Sequence, residues 1–255
     1  CNPIMTIFTP ISLDHTEILG DTLKKIALEK SGIMKKNIIS ISSQQKYEAK
    51  SVLKKEANKK NVPLYFLDKS KMLDYDYKIK GKEQNENANL ALYALNYLKN
   101  YNITEYAKKT ALTHINWYGR NQIIKKNPTI IFDVGHNVSG IKSFIKYYET
   151  LKVSGKSTLI IALYSRKKID DIIFLLEKTF KKIICTETNG KNPMPAIILS
   201  QQFSQTHDVQ IINDPYIAIS SSFNKLNQND GLVVLGTHCL GPAISDFFNI
   251  SFDTI

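Results

Sequence analysis

The chain has 255 residues, 43% of them hydrophobic, enough for one large or two ordinary globular domains. Its longest apolar runs, such as "TIIFDV" and "STLIIALY", are strand-sized, and no basic-then-apolar leader opens the sequence; both features argue against a membrane protein and for a cytoplasmic one. The net charge of +11 is carried mostly by lysines along helix faces, as in "KSVLKKEANKKN", so it reads as compositional and neither nucleic acid nor membrane is expected as a partner. Cys1, Cys185 and Cys239 are scattered without CxxC spacing, which predicts reduced thiols.

In chain order, "IMTIFTPIS" reads as a strand feeding a polar loop from Ser12 to Gly20. A helix follows, capped by Asp21 or Thr22, with Leu23, Ile26, Ala27 and Lys30 at helical spacing and Gly32 closing it. "NIISIS", the amphipathic "QQKYEAKSVLKKEANKKN" and "PLYFL" give a strand, a helix and a strand, the order of a parallel α/β unit. Helices follow in "EQNENANLALYALNYLKNY" and "TEYAKKTALTHI", and at "NWYGRNQ" the rhythm breaks. From there strands and helices alternate: "TIIFDV", a helix from about Ser139, "STLIIALY", "DDIIFLLEK", "KIICTE", "AIILSQQF", "VQIIN", "YIAISSSFNKL", "LVVLG" and a last helix. This predicts a small doubly wound sheet after a domain boundary near Trp117 to Gly119. The first part is also α/β, and its opening strand reads as one from deep inside a parallel sheet.

Four places carry candidate chemistry. "FDVGHN", Phe132 to Asn137, ends a buried strand just before a helix, where open α/β sheets bind ligands. Asp133 could accept from ribose hydroxyls, and His136 and Asn137 could face phosphates; equally, Asp133 and Asn137 could serve only to turn and cap the chain. In "YGRNQ", Arg120 follows a flexible glycine and could meet a transferring phosphoryl group, or else form an ordinary surface ion pair. His15 beside Asp14 suits a divalent metal or a loop carbonyl. Lys30, if buried, needs a partner or a neutral amine; a neutral amine can take up carbon dioxide and become a carbamate able to hold magnesium, whereas pairing with Glu17 or exposure of its tip is the plain reading. "HCLGPA", His238 to Ala243, forms either a cleft wall or a tight turn, and His114 and His207 carry no assigned role.

Together and in this order, "ISLDHTEILGDTLKKIALEKSGIMK", "GKEQNENANLAL", "WYGRNQIIKKNPTIIFDVGHN" and "LVVLGTHCLGPA" resemble the folylpolyglutamate synthase/dihydrofolate synthase family, a branch of the Mur ligase superfamily. The resemblance implies a partial central ATPase domain over residues 1–118 and a Rossmann-like doubly wound ligase domain over residues 119–255. It also implies an ATP- and magnesium-dependent ligase that joins L-glutamate to the γ-carboxylate of a folate through an acyl phosphate, with folate and glutamate as partners. By matching position, His15 resembles the family's magnesium-ligand histidine and Lys30 its carbamylated lysine, with Ser31 where alanine is usual. Asn87 resembles the asparagine that reads the ATP base. Arg120 resembles the arginine near the phosphates, Asp133 the aspartate near the nucleotide, and His136 its catalytic neighbour. An arginine of the family is replaced within "NGKNPMPA".

The 255 residues contain no GxxxxGK[ST] phosphate loop, which in the family lies upstream of the segment matched here. Cys1 therefore reads as an interior residue of a longer ancestral chain, and a truncated or split product, inactive alone or completed by a separate fragment carrying that loop, is expected. The alternatives are a noncatalytic nucleotide-binding remnant and a muropeptide ligase of the same superfamily.

Overall fold

A computed structural model describes residues 2–14, 16–68, 70, 72, 77–165, 169–190 and 192–252. The chain divides into two compact units, Cys1–Tyr77 with Glu83–His114, and Lys78–Lys82 with Ile115–Ile255.

The first unit carries β1 (Thr6–Phe8), α1 (Thr16–Leu19), α2 (Leu23–Lys30), β2 (Ser40–Ser42), α3 (Tyr47–Lys59), β3 (Leu64–Phe66), α4 (Lys82–Leu95) and α5 (Glu105–His114). Its strands form a parallel sheet in the order β1-β2-β3, with Thr6 opposite Ser40 and Ser40 opposite Leu64. Parallel neighbours need a crossover, and α3 supplies one between β2 and β3, as the sequence pattern predicts. The core is local: Ile26 and Ala27 of α2 pack with Ala49, Leu53 and Ala57 of α3, and with Phe8 and Met34. Thr22 caps α2 by accepting from the Lys25 amide at 3.3 Å. Three expectations change here. The loop after β1 contains the short helix α1. Gly32 does not close α2, because Ser31–Ile33 continue it as a 3-10 turn. Lys30 faces solvent, since only Ile26 and Ala27 of α2 are buried.

The second unit carries β4 (Gln122–Lys125), β5 (Thr129–Asp133), α6 (Val138–Thr150), β6 (Ser157–Ile161), α7 (Asp170–Thr179), β7 (Lys182–Cys185), α8 (Ala196–Ser200), β8 (Asp208–Ile211), α9 (Pro215–Phe223), β9 (Gly231–Leu235) and α10 (Gly241–Phe248). The sheet order is β4-β5-β9-β6-β7-β8, parallel except for β4, which pairs antiparallel with β5 at the edge. Successive strand residues point to opposite faces, so each central strand feeds two cores. Ile131, Leu159, Ile161, Ile183, Val233 and Leu235 meet Ile141, Phe144, Ile172, Leu176 and Leu199 from α6, α7 and α8. Ile130, Phe132, Ile160, Ile184, Leu232 and Val234 meet Ala218, Ile219 and Ile244 from α9 and α10. Each such fully buried side chain contributes about 1.5–3 kcal/mol relative to exposure. The same burial pushes the Cys185 thiol up to about 12, so it stays protonated.

Asp230 ties the starts of β6 and β9. Its carboxylate accepts from the amides of Asn227 and Lys156, each at 2.8 Å, and these bonds hold its pKa below the usual carboxylate value. A depressed folded-state pKa stabilises the protein above the unfolded value near ~3.9 and ceases to do so as pH falls through the folded one. Asp230→Ala is therefore expected to cost about 2 kcal/mol in urea unfolding at neutral pH, because two amides lose their acceptor. The gap to wild type should narrow below about pH 4, where the aspartate itself becomes protonated.

Candidate functional site

The site lies at the carboxyl ends of β5 and β9. Asp133 closes β5 opposite Leu235, the last residue of β9. From there the chain leaves β5 toward α6 on one face and leaves β9 toward α10 on the other, which opens a crevice between the two strand ends.

Asp133 is 5% exposed and organises this end. Its Oδ2 accepts from the Asn121 amide at 2.8 Å and its Oδ1 from the Gly135 amide at 2.7 Å. One carboxylate thus joins the loop before β4 to the loop after β5. The Gly119 carbonyl accepts from the Val134 amide at 3.0 Å, which brings Arg120 beside the end of β5. Tyr118 stacks on Phe252 with ring centroids 4.7 Å apart, anchoring the segment that bears Arg120. Asn137 caps α6 by accepting from the Gly140 amide at 2.8 Å, so its side chain performs the structural role that the local reading allowed.

Three cation-forming groups converge here. Arg120 is half-buried, and its guanidinium has no hydrogen-bond or ion-pair partner among the described residues. His136 sits three residues beyond Asp133, and its Nδ1 lies 2.9 Å from the Val134 carbonyl. A carbonyl only accepts, so Nδ1 carries the proton and Nε2 is the nitrogen left for a ligand. His238 sits three residues beyond Leu235, the registered partner of Asp133. It is exposed to solvent, yet crowding around the ring removes part of its hydration and lowers its pKa, with further lowering by Arg120 and then His136. Asn121 adds an unusual group. It is 7% exposed and donates from Nδ2 to the Lys80 carbonyl at 2.8 Å, while its Oδ1 is buried without a partner among the described residues. Such an orphaned acceptor costs about 1–3 kcal/mol unless a ligand donor satisfies it.

The turn after β9 is tied to β6. Thr237 Oγ1 donates to Tyr164 Oη at 2.8 Å, the Cys239 amide donates to Thr237 Oγ1 at 3.2 Å, and Tyr164 Oη lies 3.4 Å from Cys239 Sγ. "HCLGPA" therefore forms a tight 3-10 turn into α10, braced against the end of β6. Sequence reasoning missed Tyr164 and gave His238 only as the start of a wall or turn; the usable signal was that both follow buried strands that end at the same level of the sheet.

The remaining candidates belong to the first unit. Asn87 is half-buried on α4, and its side chain has no hydrogen-bond partner among the described residues. The buried asparagine of that helix is Asn89, which donates to Tyr77 Oη and Asn85. Lys30 is exposed, as the plain reading of its tip allowed, and His15 lies outside the described residues. Among the described residues no group of three His, Cys, Asp or Glu side chains is placed to hold a metal ion.

A different cavity, of 310 Å³, lies at the opposite, amino ends of the strands and is lined by Lys126, Asn127, Lys152 and Asn229 among others. Beside it the sequence Gly155-Lys156-Ser157 has the look of half a phosphate loop. It cannot act as one, because the Gly155 amide is spent on the Asn229 carbonyl and the Lys156 amide on Asp230.

Residues 119–238 match the family described as "Mur ligase, glutamate ligase domain". Among curated proteins, the chain is 27% identical over 191 residues to the dihydrofolate synthase/folylpolyglutamate synthase of Bacillus subtilis, a match covering 65% of this chain and 44% of that protein. It is 25% identical over 248 residues to the enzyme of the same name from Buchnera aphidicola subsp. Baizongia pistaciae, covering 91% of this chain and 57% of that protein. The chain thus spans about half the length of these relatives. Among solved structures, Mycobacterium tuberculosis folylpolyglutamate synthase complexed with ADP and AMPPCP superposes with a TM-score of 0.85 at 18% identity, over 98% of this chain and 65% of that one. E. coli FolC in complex with DHPP and ADP gives 0.82 at 21% identity, over 95% and 61%. These two structures share its fold.

Proposed function

We propose that this chain, which belongs to the folylpolyglutamate synthase/dihydrofolate synthase family of Mur-type ligases, takes part in ATP-dependent addition of L-glutamate to the γ-carboxylate of a folate. The observation that carries this reading is the set of unspent groups at the ends of β5 and β9. An unpaired guanidinium, a free imidazole Nε2 and an orphaned amide oxygen surround one carboxylate-braced turn. A cation, a protonatable imidazole and a buried acceptor held ready in this way suit phosphate oxygens and a hydroxyl.

In the reaction, bound ATP supplies the phosphoryl group that activates the folate carboxylate as an acyl phosphate, which the glutamate amine attacks as phosphate leaves. The chain's own residues have four tasks. Arg120 would hold phosphoryl oxygens and offset the charge that builds on them. His136, once protonated, would donate from Nε2 to the same oxygens, and Asn121 Oδ1 would accept from a hydroxyl such as that of ribose. Asp133 would keep both loops in register. Asn87, with its amide unspent, would read the base. Magnesium would arrive with the phosphates, the ligands it prefers beside water and carboxylate. Lys30 is exposed on α2 and no step is assigned to that residue.

A cytoplasmic location suits these substrates, and no helix among the described residues is long and apolar enough to cross a membrane. The test is an acceptor comparison on protein isolated from its own cells, with ATP, magnesium and labelled glutamate. We expect ADP and glutamylated folate in equal amounts, and neither product with a UDP-sugar peptide as acceptor. Product from the peptide alone would favour the muropeptide ligase reading. The recombinant 255-residue polypeptide should show no turnover by itself, because it contains no backbone cradle and lysine of the phosphate-loop type, and Arg120 and His136 cannot replace them. Sustained ligation by that polypeptide would contradict this expectation.

A further inference from the structure

His238 has a place in the cleft that neither its own turn nor the expected site explains. The parallel register puts Asp133 opposite Leu235, so His136 and His238 stand at equivalent steps beyond paired strand ends. Arg120 is held at the same level through the bonds of Gly119 and Asn121 to the end of β5. The charged groups that act on the His238 ring are Arg120 and His136 from the β5 side, while Tyr164 and Cys239, on the β6 side and in its own turn, pair with each other. The carboxylate at this strand end, Asp133, already accepts from two backbone amides. Arg120 is charged and either imidazole can become so, so with the carboxylate engaged elsewhere a proton on His238 is disfavoured until an anion arrives.

We propose that His238 is a third contact of the oxyanion site formed with Arg120 and His136, neutral in the free protein and protonated when a phosphoryl group binds. This rests on the ligase reading and deepens it, adding a residue that couples phosphate binding to proton uptake. The exposed ring has room to meet a ligand; lost hydration and then the Arg120 charge disfavour its proton in the free protein, and an anion that matches the Arg120 charge removes the second of these effects. The protonated imidazolium then donates to a phosphoryl oxygen, and the proton comes from solvent.

The test is a pH titration of the histidine ring signals of the wild-type chain by NMR, with and without sulfate, whose charge is constant across the range, and then with ADP. His238→Gln assigns the signal, and the exposure of the ring makes that variant safe for folding. We expect sulfate to move the His238 titration midpoint upward, by about one pH unit at saturation, which equals about tenfold tighter sulfate binding to the protonated protein. His238→Gln should lose the part of the pH dependence of sulfate affinity that follows the His238 midpoint. If ADP and sulfate perturb His136 while the His238 midpoint stays in place, this inference falls and the ligase reading stands. If neither ring responds to either anion, both fall.

Discussion

Gly236→Ala is expected to destabilise the second unit by about 3–5 kcal/mol, a large part of the ~5–15 kcal/mol that holds a typical protein folded. Gly236 follows the last residue of β9 with φ +119°, in a region that side-chain-bearing residues rarely adopt. A Cβ there would lie 2.2 Å from the Ala162 carbonyl oxygen and 3.1 Å from Leu163 Cδ2. The clash cannot relax by turning a flexible side chain, because Ala162 continues β6 and its amide bonds the Leu235 carbonyl at 3.3 Å. The Gly236 amide also donates to the Asp133 carbonyl at 3.1 Å, so any shift reaches the braced turn of the site. Backbone strain and overpacking each contribute about 1–3 kcal/mol. Gly32→Ala is the control: a Cβ there meets nothing within 4 Å, and its urea midpoint should stay within about 0.5 kcal/mol of wild type. Equal stability of Gly236→Ala and wild type would show that the close approach of β6 and β9 at this level is wrong.

Arg120→Ala should separate function from stability. The guanidinium has no partner among the described residues and lies near two histidines, so its removal relieves repulsion and deletes no hydrogen bond or ion pair among them. Unfolding in urea should be unchanged or slightly harder, and the depressed titration of His238 should return part of the way toward the ordinary histidine value. ADP affinity should fall about 10-fold or more, and turnover of the protein isolated from cells should fall by about 10²–10³, the range for loss of a preorganised charge at a transferring group. A variant that loses stability and keeps its ADP affinity would make Arg120 an ordinary structural arginine. Groups that disfavour the empty fold and serve the ligand are common at functional sites.

The regular alternation after Gly119 was legible because each central strand is an unbroken β-branched run bounded by turn residues, as in "TIIFDV" and "LVVLG", and those strands now lie buried between two helical layers. β4 escaped notice because Gln122–Lys125 is four residues long, sits at the edge, and slips register between Ile123 and Lys125. Lys30 illustrates a limit of periodicity. Its spacing from Ile26 and Ala27 places it near their face, but α2 ends there and the side chain runs out past the core into solvent. Asp133 and Arg120 could be picked out from motif position, whereas the orphaned Asn121 Oδ1 depends on a contact with Lys80, 41 residues away, that no local pattern announces. His238 was visible as a residue after a strand; the register between β5 and β9 is what puts it beside His136.

The central claim is that the carboxyl ends of β5 and β9 receive the phosphate-bearing ligand. The most direct measurement is a titration of ADP into the isotope-labelled chain, followed at every backbone amide by NMR. The account predicts saturable shifts at Asn121, Gly135, His136 and the first turn of α6, and their loss in Arg120→Ala. Shifts confined to Lys126, Lys152 and Asn229 around the cavity at the opposite strand ends, or none at any concentration, would contradict it.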